Sequence, residues 1–253
     1  MSFFIMPVLT TPLLKIPVLL SDAVFMYYAL RPPNSGAPLE MQEKFTWSDY
    51  ITSGTQVQLT AAAIVRTGLA GLVLLETVTI LARDYVAGPH PVALLGEARA
   101  ILLSAPGSTQ LRATPAFLVG SALTIVGGLL RSSCYRALGR LFAWQVGVQA
   151  NHELITTGPY AVVRHPSYTA LVLIAIGTPL ALLSAGSYYV ETGLWDSTWG
   201  KSVAATVVGY LWFVTGALIR RIDEEEAELE KEFGETWRAW AVKTPYKLIP
   251  YVY

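Results

Sequence analysis

From Tyr168 to Val190 the chain reads YTALVLIAIGTPLALLSAGSYYV, without one charged residue. A bilayer core about 30 Å thick is crossed by about 20 mostly apolar residues of helix. Lipid offers the backbone no hydrogen-bond partner, so such a stretch has to satisfy its own peptide groups, and an α-helix does so. Ser202 to Ile219 repeats the pattern and stops at Arg220 and Arg221; Ala113 to Leu130 repeats it between Arg112 and Arg131. The chain has only 14% charged residues, against roughly 25% in ordinary soluble domains, so it lacks the polar surface to bury three such stretches in water.

Two further spans are interrupted. Leu59 to Ala82 carries Arg66 and Glu76, and Val8 to Leu30 carries Lys15 and Asp22. An ionisable group inside a span is costly and therefore faces protein or a cavity. The first stretch has no basic lead-in and no small-residue cleavage site, so it is expected as a retained helix rather than a signal peptide. The expected fold is all-α: a polytopic transmembrane helical bundle of about five spans. Arg31 to Gly54 and Arg83 to Arg112 read as polar connections, the second with a short interfacial helix around Pro91 to Ser104. Residues 1–112 form an N-terminal membrane segment of about two spans, and residues 113–253 a core of three spans with a charged C-terminal helix.

Basic residues beside spans set orientation. Arg131, Arg136 and Arg140 follow the third span, Arg164 precedes the fourth, and Arg220 and Arg221 follow the fifth. Those segments are expected on the cytosolic face. Lys plus Arg and Asp plus Glu are each 18, and a net charge of zero makes no case for a nucleic-acid partner. Cys134 stands alone and the histidines are only His90, His152 and His165, too few for a disulfide framework or a metal cage.

Two water-facing segments carry chemistry. Gln145 to Tyr168 (QVGVQANHELITTGPYAVVRHPSY) holds two of the three histidines, a Gly158-Pro159 turn and an Arg164-His165-Pro166 step. Pro166 pushes His165 away from helical geometry and suits a first helical position. The fourth helix is therefore expected to begin there, with backbone N–H groups near Ser167 and Tyr168 suited to an anionic group. In Arg220 to Lys243, residues Ile222, Leu229, Phe233, Trp237 and Trp240 recur at helical steps, which predicts one amphipathic helix. Arg221 and Glu225, four apart, share a face of it. Singly these residues have ordinary explanations. His152 suits an interfacial histidine and His165 a helix start, Tyr160 and Tyr168 suit an aromatic belt, and Glu224 and Glu226 are expected to be solvated.

Taken together they resemble a known family. Gln145, His152-Glu153-Leu154-Ile155, Gly158-Pro159-Tyr160 and Arg164-His165-Pro166-Ser167-Tyr168 are similar to the S-adenosylmethionine-binding region of isoprenylcysteine carboxyl methyltransferases. The run Arg221 to Leu229 with Phe233-Gly234 resembles that family's second signature. The resemblance extends from Leu141 to Pro250. Arg-His-Pro-x-Tyr also marks the wider superfamily, including phospholipid methyltransferases. The His-x-Leu-Ile-Thr-x-Gly-x-Tyr stretch joined to it is more particular to the prenylcysteine branch. Thr169-Ala170 departs from the glycine common after the tyrosine, and Trp237 and Trp240 stand where tyrosines are common.

The resemblance implies S-adenosylmethionine as cofactor, with Gln145, His152, Glu153, Leu154, Ile155, Tyr160, His165, Pro166, Ser167, Tyr168 and Glu225 around it. It implies Arg221 and Glu225 as the catalytic pair, Arg221 on the substrate side. The implied substrates are prenylated CaaX-derived proteins or peptides, met at the membrane lipid of the endoplasmic reticulum or a related endomembrane, without a metal. A carboxylate with a pKa near 3.5 is ionised at neutral pH, so its methylation needs alignment rather than a general base, and an arginine fork suits both carboxylate oxygens. Two alternatives stay open: a phospholipid or other lipid-amine N-methyltransferase, and a non-catalytic scaffold or transporter subunit using Arg66 and Glu76.

Overall fold

The structure, a computed structural model, describes residues 12–31, 56–84, 100–101, 103–104, 110–142 and 153–253. No strand occurs among them. The long helices are α1 (Lys15–Ala29), α2 (Gln56–Asp84), α3 (Pro115–Leu138), α4 (Pro166–Leu182) and α6 (Thr198–Arg220), with the one-turn α5 (Tyr188–Glu191) ahead of α6. Helices α7 (Ile222–Phe233) and α8 (Glu235–Lys243) follow. Four helical stretches, Pro12–Ala29, Val57–Arg83, Pro115–Leu141 and Thr198–Phe233, are long and apolar enough to cross a membrane; Pro166–Leu182 is a shorter apolar helix. Most of the expected 91–104 helix lies outside the described residues.

Two expected boundaries are corrected. The fourth apolar stretch does not run as helix from Tyr168 to Val190: α4 starts at Pro166 and ends at Leu182. Gly186 then takes a left-handed φ of +82°, and Ser187 caps α5 by accepting from the Val190 N–H. An apolar run hides this stop, because Ser-Ala-Gly-Ser carries no charge to mark it. The C-terminal amphipathic helix is likewise two helices. Gly234, with φ +50° and ψ −121°, ends α7 and opens α8, a conformation that L-residues rarely adopt and glycine adopts readily. The hydrophobic steps of Phe233, Trp237 and Trp240 continue across a break that periodicity cannot see.

The chain divides into two compact units. The first takes residues 1–27, 65–125 and 175–209, and Lys15, Asp22 and Glu76, inside its apolar helices, are buried. Lys15 Nζ pairs with Glu76 Oε1 and donates to the Gly186 carbonyl at 2.8 Å, while Glu76 Oε2 accepts from the Tyr188 N–H at 3.1 Å. Ser121 Oγ donates to Asp22 Oδ2 at 2.5 Å. The Arg66 guanidinium lies 4.6 Å from the centre of the Tyr27 ring. Apolar surroundings make such pairing obligatory.

Helix α3 approaches α4 closely in this unit, through Gly120 and Gly177. A Cβ on Gly120 would meet the Ala181 nitrogen, and the Gly177 carbonyl at 2.7 Å. Both are backbone atoms that cannot swing away, and small residues are what let two membrane helices approach this closely. Gly120→Ala is expected to cost about 1–3 kcal/mol, read as a fall in the thermal midpoint of the detergent-solubilised protein. Gly71→Ala, where a Cβ meets nothing within 4 Å, serves as the neutral control.

The second unit takes residues 28–64, 126–174 and 210–253. Its core is Cys134, Tyr160 and Trp240, with Leu130, Leu138, Leu154, Ile155 and Trp237 packed against them. Trp240 Nε1 donates to the Tyr160 carbonyl at 3.2 Å, which ties α8 to the 3-10 turn Gly158–Ala161. These contacts hold the two motif-bearing segments side by side.

Candidate active site

The site grows from the Arg164-His165-Pro166 corner in the second unit. Pro166 is the first residue of α4, as expected, and the His165 carbonyl accepts from the N–H groups of Tyr168 (3.0 Å) and Thr169 (3.3 Å). The expected exposed N–H of Tyr168 is therefore already engaged. The stretch 244–248 pins the corner from outside. Arg164 N–H donates to the Tyr246 carbonyl at 2.9 Å and His165 N–H to that of Lys247 at 2.8 Å. Thr169 Oγ1 donates to the Leu248 carbonyl at 2.7 Å, and Arg164 Nη1 to those of Thr244 and Pro245 at 2.9 and 2.8 Å.

The N-terminal part of α7 closes on this corner with two adjacent carboxylates that do different things. Glu226, expected in solvent, is buried. Its Oε1 accepts from Arg164 Nε at 2.7 Å and lies 3.1 Å from His165 Nε2; Lys247 Nζ lies 3.4 Å from its Oε2. A carboxylate only accepts, so Nε2 carries the proton in the histidine bond. Lys247 also donates to Asp223 Oδ1 at 2.5 Å, and that hydrogen bond raises its pKa above the ordinary lysine value. Glu224 is exposed, as expected.

Glu225 points to a different partner. Tyr168 Oη donates to Glu225 Oε2 at 2.7 Å and accepts from Arg221 Nε at 3.3 Å. Arg221 sits between α6 and α7 with φ −89° and ψ 0° and is only 4% exposed. Its guanidinium is joined through one phenol to the carboxylate one turn along. The His165 and Tyr168 rings stack, with centroids 5.5 Å apart and planes 13° apart.

A cavity opens on this chain. Of the expected site residues, Glu153, Leu154, Ile155, Tyr160, His165, Ser167, Tyr168, Arg221 and Glu225 line it. Pro166 does not line it but starts the helix that carries Ser167 and Tyr168; Gln145 and His152 lie outside the described residues. Beyond the polar groups the wall turns apolar, with Leu171 and Ile174 of α4 and Leu211, Val214 and Leu218 of α6. Burial pushes the Tyr160 phenol above its ordinary pKa, so it faces the cavity as a neutral group.

Three contributors go beyond the expected set. Arg131, read only as a charge flanking a span, is buried and donates through Nη1 to both the carbonyl (3.1 Å) and the hydroxyl of Ser167. Its Nε donates to Tyr135 Oη at 3.0 Å. Arg131 and Tyr135 lie four apart and so share a face of α3, but that spacing alone does not show that the guanidinium turns inward. Arg164 and Glu226 are the others, and only their meeting in space joins them.

These features describe an all-α polytopic membrane protein with a half-polar, half-apolar cavity where two of its helices meet a charged third. Residues 120–192 match the isoprenylcysteine carboxyl methyltransferase (ICMT) family. That match takes in His152 to Tyr168 and ends short of Arg221 and Glu225. The chain is 27% identical over 128 residues to protein-S-isoprenylcysteine O-methyltransferase B of Arabidopsis thaliana, covering 50% of this chain and 55% of the relative. It is 32% identical over 122 residues to protein-S-isoprenylcysteine O-methyltransferase of Schizosaccharomyces pombe, covering 47% and 44%. It is also 26% identical over 101 residues to a delta(14)-sterol reductase of Mus musculus, covering 40% and 20%. The chain spans about half the length of the methyltransferases it matches. No solved structure matches it.

Proposed function

We propose that this chain transfers the methyl group of S-adenosylmethionine to the C-terminal carboxylate of a prenylated cysteine, giving a methyl ester. The observation that carries the reading is the Arg221–Tyr168–Glu225 hydrogen-bonded chain at the polar end of a cavity whose other wall is apolar. The substrate has the same two-part chemistry, an anionic head on a long hydrocarbon tail. In this reading residues 113–253 are the catalytic core, and residues 1–112 add wall residues such as Ala29, Leu30 and Ala62. The site faces the cytosol from the endoplasmic reticulum or a related endomembrane, where prenylated CaaX-derived proteins present their cysteines among the lipids.

The residues fit an adenosyl sulfonium donor. Glu153 and Glu225 supply acceptors for its ammonium and ribose hydroxyls, Leu154 and Ile155 supply an apolar bed, and Tyr160 supplies a neutral phenol; Gln145, His152, His165, Pro166, Ser167 and Tyr168 complete the assigned set. When bound, S-adenosylmethionine supplies an electrophilic methyl whose bond to sulfur breaks as the bond to oxygen forms, the electron pair leaving on sulfur. Arg221 orients the acceptor: its planar fork matches a carboxylate, and the bond from Nε to Tyr168 fixes the plane of that fork. Glu225 anchors Tyr168 in turn, so the group is set before substrate arrives. Alignment of this kind is worth several kcal/mol at the barrier. The carboxylate is ionised at neutral pH, so no residue has to remove a proton. That is consistent with His165 having its Nε2 committed to Glu226.

Donor binding tests the cofactor half. Titration of the purified protein with S-adenosylmethionine is expected to give saturable heat. Glu225→Gln is expected to weaken it about tenfold, the scale of one hydrogen bond to a charged group. Equal affinity in the two proteins would remove Glu225 from the donor's contacts.

A further inference from the structure

Among the described residues, three arginines line the cavity: Arg131, Arg164 and Arg221. Arg164 pairs with Glu226, Nε to Oε1 at 2.7 Å, and Arg221 reaches Glu225 through the Tyr168 hydroxyl. Arg131 differs. It is 4% exposed, yet its partners among the described residues are uncharged. Its Nε donates to Tyr135 Oη at 3.0 Å, and its Nη1 donates to the carbonyl and hydroxyl of Ser167. Tyr135 Oη gives its own proton to the Ala29 carbonyl at 3.0 Å, so it accepts from Arg131 as a neutral group. The guanidinium also lies 5.2 and 5.3 Å from the ring centres of Tyr135 and Phe142. These contacts fix the fork in place without cancelling its charge. A guanidinium does not shed its proton, and a buried charge without a counter-charge is costly. An anionic group entering the cavity removes that cost.

We propose that Arg131 holds the carboxylate at the amino-acid end of the methyl donor. The proposal rests on the methyl-transfer reading above. That reaction brings two carboxylates into one cavity, the acceptor's and the donor's, and Arg221 is assigned to the first. The donor's amino-acid end is a zwitterion, ionised at both groups at neutral pH, so it suits a cation and an anion set close together. The Tyr160 phenol, raised first by burial, lies within the field of such a pair: Glu225 raises it further and Arg131 lowers it. Ser167 belongs to the residues assigned to the donor and is itself a partner of Arg131. The guanidinium is therefore held at the place the donor is assigned.

The test compares calorimetric titrations of the purified full chain with S-adenosylmethionine and with its decarboxylated analogue. The analogue keeps the sulfonium and the amine and lacks only the carboxylate. The parent is expected to bind the complete donor at least about tenfold more tightly, the scale of one hydrogen bond to a charged group. Arg131→Gln is expected to lose most of that preference, weakening the complete donor and leaving the analogue within about twofold. Arg131→Lys keeps the charge without the fork and is expected to retain an intermediate preference. Equal weakening of both ligands in Arg131→Gln would mark a role in holding α4 through Ser167 and overturn the proposal. A parent that binds both ligands alike would overturn it too, as would a preference that survives Arg131→Gln while KM for the prenylcysteine acceptor rises. The parent's preference and Arg131→Lys decide the matter if Arg131→Gln does not fold. A parent that shows the preference but methylates no prenylcysteine would remove the acceptor reading and leave the Arg131 contact standing. A parent that binds neither ligand would overturn both.

Discussion

Arg221→Ala is expected to lower kcat/KM for a prenylcysteine acceptor by about 10²–10³, the scale seen when a single preorganised group facing reacting charge is removed. Affinity for S-adenosylmethionine is expected to stay within about twofold, because Glu225 keeps its bond from Tyr168 and the donor's assigned contacts remain. The size of the effect follows from burial. Arg221 is 4% exposed, so water does not replace it, and a carboxylate left without a cation in such surroundings is poorly held. Arg221→Lys is expected to recover only part of the loss, since an ammonium cannot reproduce the bidentate fork. Steady-state kinetics beside donor titration check both halves. Activity within about threefold of the parent would remove Arg221 from the acceptor site, since one lost preorganised contact costs far more than that.

Glu226→Ala is expected to have the largest effect on stability. It leaves Arg164 and His165 turned inward with no carboxylate between them, and stripping one partner from a buried ionic cluster costs about 3–5 kcal/mol. Arg164 retains its backbone acceptors at Thr244 and Pro245, which favours the lower end of that range. Glu226→Gln keeps the volume and one acceptor oxygen, so a smaller fall is expected. Thermal unfolding of the detergent-solubilised protein reads the difference. A midpoint equal to the parent's in Glu226→Ala would mean that the corner is held by strands of backbone alone.

These two residues mark where sequence reasoning reaches and where it stops. Arg221 and Glu225 are four apart on one segment, so their shared face is local information, and the structure joins them through Tyr168. Glu226 is next to Glu225 and equally acidic, yet nothing within its own helix tells that it turns inward. Its partners lie at Arg164 and His165, brought to it by tertiary packing. Arg131 is hidden for a related reason. As a charge at a span's end it has an ordinary role in orientation, and only the approach of Ser167 converts it into a buried donor. Spans are legible because lipid imposes length and apolarity directly. Their ends are less so, since Gly186 stops α4 by conformation, without a change in polarity, and Gly234 divides the C-terminal helix in the same way. The pinning of the corner by residues 244–248 runs through backbone carbonyls, which carry no residue code at all.

The central claim is that the polar end of the cavity receives an anionic prenylcysteine rather than a lipid amine. The most direct measurement supplies methyl-labelled S-adenosylmethionine to membranes containing the protein, with N-acetyl-S-farnesylcysteine in one reaction and phosphatidylethanolamine in the other. The account predicts base-labile label, released as methanol, on the farnesylcysteine and none on the amine. Base-stable label on the phospholipid, with no ester formed by folded, donor-binding protein, would contradict it.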